Sequence, residues 1–333
     1  MPIIDNAIYR EGVRVTTPHT LEETYELTEA EGAMAWIGLY RPTDAELESV
    51  ANEFELHHLA VEDARKGHQR AKLERYGHTL FVALRPARYL DAEEEVEFGE
   101  LHVFVGRDFV VTIRHSETPD LANVRARLEA HPKLLALGPE AVLYAVLDEV
   151  VDEYLPVVAG LENDIDEIED QLFGDDDDDR LARRIYDLSR EVIDFQRAVH
   201  PLVGMLEALL KGAERSRVDL ELQRSLRDVL DHVQRVVERA DAYRALLENA
   251  LQVQSTLVTR AMTRTSVQQN EQVKRITAWA AILFAPSLVG AVYGMNFRFM
   301  PELDWPLGYP FALALMIAVA LGLYGAFKWK RWL

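Results

Sequence analysis

The apolar and polar positions follow the pattern of a sheet in the first part of the chain and of helices afterwards. Helical spacing covers residues 44–55 and 121–128. Around these segments lie short runs rich in β-branched and aromatic residues, bounded by Gly, Pro and Asp, which favour turns. These runs, which we predict to be strands, are 33–40, 79–85, 96–105 and 108–114. The pattern predicts an α+β domain over residues 1–135 and leaves its strand order open.

Beyond this domain the periodicity is almost wholly helical, with breaks near residues 173–179 and near Gly212. We therefore expect an acidic helical hairpin over 136–212 and a stalk helix over 213–275. Residues 213–285 contain no Gly or Pro, and one helix of that length would extend about 110 Å. Such a helix is longer than a compact domain is deep. It indicates a stalk that continues into the next segment, with a coiled-coil spacer as the alternative.

Two uncharged runs, 276–297 and 305–327, follow the stalk. A membrane helix needs about 20 apolar residues, and both runs are long enough. We predict a first membrane helix over 276–297 and a second over 309–328, since a buried helical hairpin is a weaker explanation for two such runs. The outer loop would be 298–308, and the basic tail 329–333.

Charge divides the chain at the same place. The net charge of −20 is the sum of +4 for residues 274–333 and −24 for residues 1–273. The chain is therefore too acidic, without a long basic patch, to attract nucleic acid. It has no cysteine, which excludes disulfides and thiolate chemistry. The mean hydropathy of −0.12 resembles that of a soluble protein only because the acidic part is much larger than the apolar one.

Basic residues beside both apolar runs set the expected orientation. Lys274 and Arg275 precede the first run, and Lys328, Lys330 and Arg331 follow the second. Basic residues flanking membrane helices favour the cytoplasmic side. The N-terminal sequence shows no signal-peptide pattern. We expect a multi-pass protein of the cell (inner) membrane with both termini in the cytoplasm.

Two membrane helices cannot enclose a pore, so a conducting protein would need several copies around an axis. The first helix is the better candidate for a lining, because one face is mostly small or polar. Small residues also serve helix packing in membranes, which is the simpler alternative. This stripe consists of Asn270, Val273, Thr277, Ala280, Phe284, Ser287, Ala291 and Gly294.

The outer end of this helix carries neutral oxygen ligands in Gly294, Met295 and Asn296. Mg²⁺ dehydrates reluctantly, so backbone carbonyls and an amide oxygen would hold it through its waters and release it again. Glu302 and Asp304 in the loop would attract cations. Three apolar residues are candidates for dewetting constrictions: Val273, Ile276 and Phe284.

These residues resemble the CorA family of magnesium and cobalt transporters. The resemblance rests on Tyr293-Gly-Met-Asn-Phe297, on Met300-Pro-Glu-Leu303 and on the Lys- and Trp-rich end of the second run. It extends to His58-Leu-Ala-Val-Glu-Asp63 in the first domain. The resemblance implies a homopentameric funnel, not an enzyme. It implies Mg²⁺ as transported ion and regulator, possible Co²⁺ and Ni²⁺ transport, and no covalently bound cofactor.

By matching position, the resemblance assigns roles to individual residues. Gly294, Met295 and Asn296 would form the selectivity filter, Asn270 an inner polar ring, and Val273 with Ile276 the gate. Val273 stands where the family commonly has Met. The regulatory aspartates between subunits would be Asp91 and Asp228.

Other interpretations remain open at this point. A zinc transporter of the same superfamily shares Gly-Met-Asn, and an oligomeric membrane anchor would need no conduction. Residues 148–179 hold fifteen acidic side chains and no Lys or Arg, as in a solvated hairpin or a segment that gathers cations. A zinc hydrolase is a weak alternative, based on the residue types of His57, His58, Glu62, Asp63 and His68.

Overall fold

A seven-stranded sheet lies at the centre of the first part of the protein. The computed structural model describes residues 3–28, 32–67, 70–174, 178–216, 218–296, 298, 300–301 and 304–333. The strands are β1 (Ile3–Arg10), β2 (Val13–Thr16), β3 (Ala33–Tyr40), β4 (Lys72–Tyr76), β5 (Thr79–Leu84), β6 (Ala87–Leu90), β7 (Glu95–Phe98), β8 (Leu101–Val105) and β9 (Phe109–Arg114). The strand order in the sheet is β2-β1-β3-β9-β8-β5-β4, and β6 pairs with β7 separately. β3 and β9 are parallel, and the other neighbouring pairs are antiparallel.

Short helices lie between and just after the strands, and long helices follow them in the chain. The short ones are α1 (Leu21–Thr28), α2 (Asp44–Glu53), α3 (His58–Lys66), α4 (Leu121–Glu129) and α5 (Pro132–Leu135). The long ones are α6 (Pro139–Leu172), α7 (Asp178–Ser216), α8 (Leu220–Tyr293) and α9 (Gly308–Trp329). The predicted combination of an α+β domain, long helices and two apolar helices is confirmed.

Both faces of the sheet are buried. Trp36 faces the core shared with α4 and α6, whereas its neighbour Ile37 faces the core shared with α2 and α3. Val103 and Phe104 alternate in the same way because successive strand residues point to opposite faces. Two buried faces explain why β3, β8 and β9 are almost continuously apolar in sequence.

A buried arginine joins α4 to the sheet. Arg125 is 5% exposed, and its Nε lies 3.0 Å from Asp5 Oδ2. Its terminal nitrogens donate to the Trp36 carbonyl oxygen at 3.2 Å, and the guanidinium lies 4.1 Å from the Trp36 ring centroid. A buried charge is tolerated when it is paired and hydrogen-bonded in this way. Arg125 therefore fixes where α4 docks.

The predicted boundary between residues 135 and 136 does not coincide with the division between compact units. The chain forms two compact units, Met1–Val253 and Gln254–Leu333. Tyr154 of α6, Phe195 of α7 and Val233 of α8 share one core with Trp36 of the sheet. The helices contribute apolar stripes that are buried only against one another and the sheet, so the acidic hairpin over 136–212 does not form a separate domain.

The predicted strand over residues 96–105 is two strands in different sheets. A Cβ on Gly99 would lie 2.2 Å from Ser116 Oγ, so the chain passes too close for any other residue. The Gly99 N–H donates to the Pro86 carbonyl at 2.7 Å, which ends the pairing of β7. The other predicted strands correspond to β3, β5 and β9.

The stalk helix begins later than predicted. α7 continues through Gly212, where an added Cβ would meet no heavy atom within 4 Å, and ends at Ser216. Asp219 Oδ1 accepts a hydrogen bond from the Glu221 N–H at 2.8 Å, which is an N-terminal cap. The boundary thus lies at Leu220 rather than at residue 213, because a capping side chain outweighs a tolerated glycine.

Within the part of the chain that the structure describes, two helices are long and apolar enough to cross a membrane, by length and composition: α8 and α9. The uncharged end of α8 and all of α9 belong to the second unit. The first predicted span was 276–297, but α8 ends at Tyr293. The second was 309–328, and α9 covers Gly308–Trp329.

Two glycines on the long helices offer a test of the packing in the first unit. A Cβ on Gly160 would come within 2.4 Å of the Tyr89 ring, whereas nothing lies within 4 Å at Gly204. We expect Gly160→Ala to destabilise the protein by about 1–3 kcal/mol through overpacking. Gly204→Ala should stabilise it by up to about 1 kcal/mol through helix propensity. Thermal unfolding of the two purified variants measures both changes in stability. Equal changes in the two variants would contradict the close contact between Gly160 and the Tyr89 ring.

Candidate functional site

One face of α8 packs against α9 within the second unit. Ala278 and Ile282 are buried on this face. The rings of Trp279 and Tyr324 lie 6.4 Å apart, and a Cβ on Gly290 would lie 3.5 Å from Met316 Cε. Positions further along α8 meet earlier positions of α9, so the two helices are antiparallel.

The predicted stripe lies on the opposite face. At about 100° per residue, Ala280, Phe284 and Ser287 lie between about 140° and 160° around the helix from Ile282. Phe284 is 73% exposed. The other exposed residues of the predicted lining and gate are Asn270, Val273, Ile276, Thr277, Ser287, Ala291 and Gly294. The stripe is therefore free of α9 and available to another copy of the chain or to water.

Large apolar side chains flank this stripe. Leu283 lies on one side of it and Leu288 on the other, and both are exposed in the single chain. Membrane helices present such residues to lipid or to neighbouring helices. The face thus has a small and polar centre with apolar margins.

The three predicted filter residues follow the end of α8 at Tyr293. The Gly294 N–H still donates to the Gly290 carbonyl at 3.0 Å, and the Met295 N–H donates to the Val292 carbonyl at 3.3 Å. Asn296 comes after the last of these bonds, and its side chain is exposed. Gly294 does not adopt a positive φ and lies in a turn after the helix.

The outer loop is described in part. Asp304 lies in a bend before α9 and is exposed, as is Arg298. Glu302, the other acidic residue predicted to attract cations, lies outside the described residues. Its role stays a prediction.

Asp228 lies on α8 among other acidic side chains of the first unit. It is 71% exposed, and its Oδ2 lies 3.9 Å from His232 Nε2. His232 Nδ1 lies 3.8 Å from Asp152 Oδ1 on α6. Burial, and next the charge of Asp152, raise the pKa of Asp148. Arg127 pairs with Asp148 at 3.3 Å, so part of this acidic charge is already balanced within the chain.

Asp91 occupies the turn between β6 and β7, where a cleft of about 490 Å³ opens against α6 and α7. Tyr89 beside it donates to Asp164 Oδ2 at 2.9 Å. Burial raises the pKa of Tyr89, and the charge of Asp91 adds to the effect. Burial also raises the pKa of Glu191 to about 7. No sequence signal marked Asp164 and Glu191, because folding alone brings these distant residues together.

A single chain does not bring Asp91 and Asp228 together. Asp91 lies two residues from Tyr89, which bonds to Asp164 on α6. Asp228 contacts His232, whose ring also lies near Asp152, twelve residues earlier on α6 than Asp164. Twelve helical residues span about 18 Å, far beyond the reach of one bound ion. No group of three or more His, Asp or Glu within the described residues has the geometry of a metal site.

The side chains of the zinc-hydrolase alternative have other partners. His57 Nδ1 accepts from the Leu59 N–H at 3.3 Å and caps α3. Glu62 pairs with Lys66 at 2.5 Å, and Asp63 pairs with Lys72 at 2.6 Å. His68 lies outside the described residues. The spacing that resembled a metal motif is a capped helix with ion pairs.

Comparison with known proteins agrees with this architecture. The family model described as CorA-like Mg²⁺ transporter protein matches residues 31–329. The chain is 31% identical over 325 residues to the putative metal ion transporter YfjQ of Bacillus subtilis, covering 96% of this chain and 97% of that protein. It is 27% identical over 302 residues to the cobalt/magnesium transport protein CorA of Thermotoga maritima, covering 90% and 83%.

A solved structure shares the fold. The CorA magnesium transporter from Methanocaldococcus jannaschii matches with a TM-score of 0.65 and 18% identity over 100% of both chains. Its likeness concerns the fold, whereas the family match and the Bacillus relative cover nearly the whole sequence. The chain therefore belongs to the CorA-like Mg²⁺ transporter family of membrane proteins that transport divalent metal ions.

Proposed function

We propose that the protein is an oligomeric channel that lets Mg²⁺ enter the cell down its electrochemical gradient. The observation that carries this proposal is the exposed, small and polar stripe of α8, which ends at Gly294-Met295-Asn296 and faces away from α9. A stripe that served only to pack the hairpin would lie on the face toward α9. Family membership supplies the ion class.

The stripe requires several copies. α8 and α9 of one chain leave it uncovered, and two helices cannot surround an aqueous path. In a ring of copies, each α8 would turn its stripe to the axis, with Leu283 and Leu288 against neighbouring chains or lipid. The family resemblance puts the number at five.

The chemistry of the filter suits a hydrated cation. Asn296 offers an amide oxygen, and Gly294 and Met295 offer backbone carbonyls. Neutral oxygens hold Mg²⁺ through its water shell without the tight binding of a carboxylate ring. Asp304 and Glu302 would raise the local cation concentration outside the filter.

Below the filter, the lining alternates between polar and apolar side chains. Ser287, Thr277 and Asn270 would keep the ion hydrated. Phe284, Ile276 and Val273 would form the narrow apolar rings that dewet when the pore closes. Val273 is shorter than the Met common in the family, so its ring would be wider.

Regulation would use the acidic first unit. Asp91 and Asp228 lie on separate surfaces of one chain, which favours an ion held between two chains. Intracellular Mg²⁺ would neutralise repulsion between acidic faces and close the oligomer, and ion loss would restore repulsion and open it.

The orientation follows from the basic flanks. Lys274, Arg275 and the Lys328–Arg331 segment favour a cytoplasmic location for both helix ends. The acidic first unit would then face the cytoplasm, where it would sample intracellular Mg²⁺. The loop between α8 and α9, which follows the predicted filter residues in the sequence, would then lie outside the cell.

A liposome assay tests conduction. Asn296→Ala should lower membrane-potential-driven Mg²⁺ uptake by about five- to tenfold, the effect of losing a hydrogen bond worth about 1–1.4 kcal/mol. Asn249→Ala makes the same change on an exposed part of α8 in the first unit and should leave uptake unchanged. Equal uptake by the two variants would contradict the filter assignment, and no ion flux in the unaltered protein would favour an anchor.

Competition in the same assay identifies the ion. Co²⁺ and Ni²⁺ should compete with Mg²⁺, because neutral ligands contacted through water discriminate by size and hydration. Uptake of Zn²⁺ in preference to Mg²⁺ would favour the zinc transporter instead.

Current recordings test regulation. Asp228→Lys should abolish the inhibition of Mg²⁺ current by intracellular Mg²⁺. It should also lower the current in the absence of intracellular Mg²⁺, because a fixed cation takes the place of the bound ion that closes the oligomer. Glu248→Lys reverses a charge on α8 about 20 residues further along and about 160° around the helix, on an exposed position of the first unit, and should retain inhibition. If both variants are inhibited like the unaltered protein, Asp228 is not a regulatory ligand.

A further inference from the structure

The end of α9 is a built cap in which the chain folds back on the helix. The Trp332 N–H donates to the Phe327 carbonyl at 2.9 Å, and the Arg331 N–H donates to the Lys328 carbonyl at 3.1 Å. These two bonds define the Schellman motif. The Trp332 ring stacks on Phe327 with centroids 5.5 Å apart, which is the apolar contact that accompanies the motif. The cap gives the basic side chains around it a defined arrangement.

Arg331 stands at the position of this cap that favours glycine. Its φ is +55°, in the left-handed region where a Cβ is unfavourable and glycine is the usual residue. Glycine would serve the cap better than arginine, so the cap itself does not account for a basic side chain at this position.

More basic residues lie at the same level of the second unit. Trp279 contacts Tyr324 across the antiparallel helices, so Arg275 and Lys328, one turn beyond each, lie at corresponding heights. Together with Lys274, Lys330 and Arg331, these two residues form a group of five basic residues that we call the basic end. Within the described residues, Lys274, Arg275, Lys330 and Arg331 have no ion-pair partner. The helix dipole favours a cation at the end of α9, but it gives no reason for Lys274 and Arg275 in the middle of α8.

An exposed aromatic side chain adjoins the basic end. Trp329 is 85% exposed and is the last residue of α9. Tryptophan at the end of a membrane helix lies at the level of the lipid headgroups. The basic end is thus placed at the depth of the headgroup phosphates.

We propose that the basic end binds the headgroups of anionic phospholipids in the cytoplasmic leaflet. The Arg331 guanidinium matches phosphate through paired donors, and lysines add charge that attracts an anionic leaflet. Trp329 and the Trp332–Phe327 stack supply the apolar contact at the glycerol level. The proposal requires that α8 and α9 cross the membrane, and it is independent of ion conduction.

Lipid titration of the intact oligomer in a zwitterionic detergent, followed by native mass spectrometry, tests this proposal. Phosphatidylglycerol should bind at least about fivefold more tightly than phosphatidylcholine, and added salt should reduce the difference. The double variant Lys330→Gln/Arg331→Gln should lower the affinity for phosphatidylglycerol by about 25-fold, since each charge near an anionic surface is worth about fivefold. Its affinity for phosphatidylcholine should stay the same.

Two single variants separate charge from cap structure. Arg331→Gly favours the left-handed conformation, so it should keep or raise the thermal stability while lowering phosphatidylglycerol affinity about fivefold. Arg260→Gln removes the same charge about 24 Å along α8 from Ile276 and should leave lipid affinity unchanged. Equal affinity of the unaltered protein for both lipids would overturn the proposal and favour acidic residues of the protein itself as the partner. Unchanged phosphatidylglycerol binding in Arg331→Gly and in the double variant would overturn it as well.

Discussion

Backbone groups inside a bilayer must find their hydrogen-bond partners within the protein, because hydrocarbon offers none. α8 and α9 meet this requirement as helices through their apolar segments and pack on each other through small side chains. The hairpin then has one covered face and several uncovered ones. Apolar uncovered faces suit lipid, but the stripe from Asn270 to Gly294 does not, since its hydroxyl and amide groups need water or polar partners. Further copies of the chain around an axis would supply those partners and a water-filled path, as in the proposed channel.

The first unit serves this arrangement as a stable acidic body. Its sheet is buried on both faces, and Arg125 locks α4 to the sheet by an ion pair with Asp5 and bonds to Trp36. α6, α7 and the start of α8 extend the same core, so that α8 is held by the body in which the acidic residues reside. Carboxylates that burial makes hard to ionise, such as Asp148 and Glu191, lie on these same helices. Neutralising these carboxylates would change the charge of α6 and α7, which pack against each other and against the start of α8.

Sequence patterns located many elements and missed others for identifiable reasons. β3 was found residue for residue because both its faces are apolar, whereas β4 has a half-buried, mixed pattern that no periodicity marks. The break at Gly99 depends on Ser116, which is distant in sequence. The start of α8 depends on Asp219, which caps the helix. Gly212 does not break α7 because it lies inside a helix where no neighbouring atom constrains it.

The amino-acid sequence by itself shows three features: the division into an acidic body and two apolar helices, the stripe on α8, and the family-like motif after it. These features are readable because length, charge and periodicity are local properties of the chain. Folding sets the strand order, the common core of sheet and helices, and the face of α8 that meets α9. It also places Asp91 and Asp228 apart in one chain and holds Arg331 in a left-handed cap. These features depend on which distant residues pack together and on backbone angles that packing imposes, and neither is encoded in any short stretch of sequence.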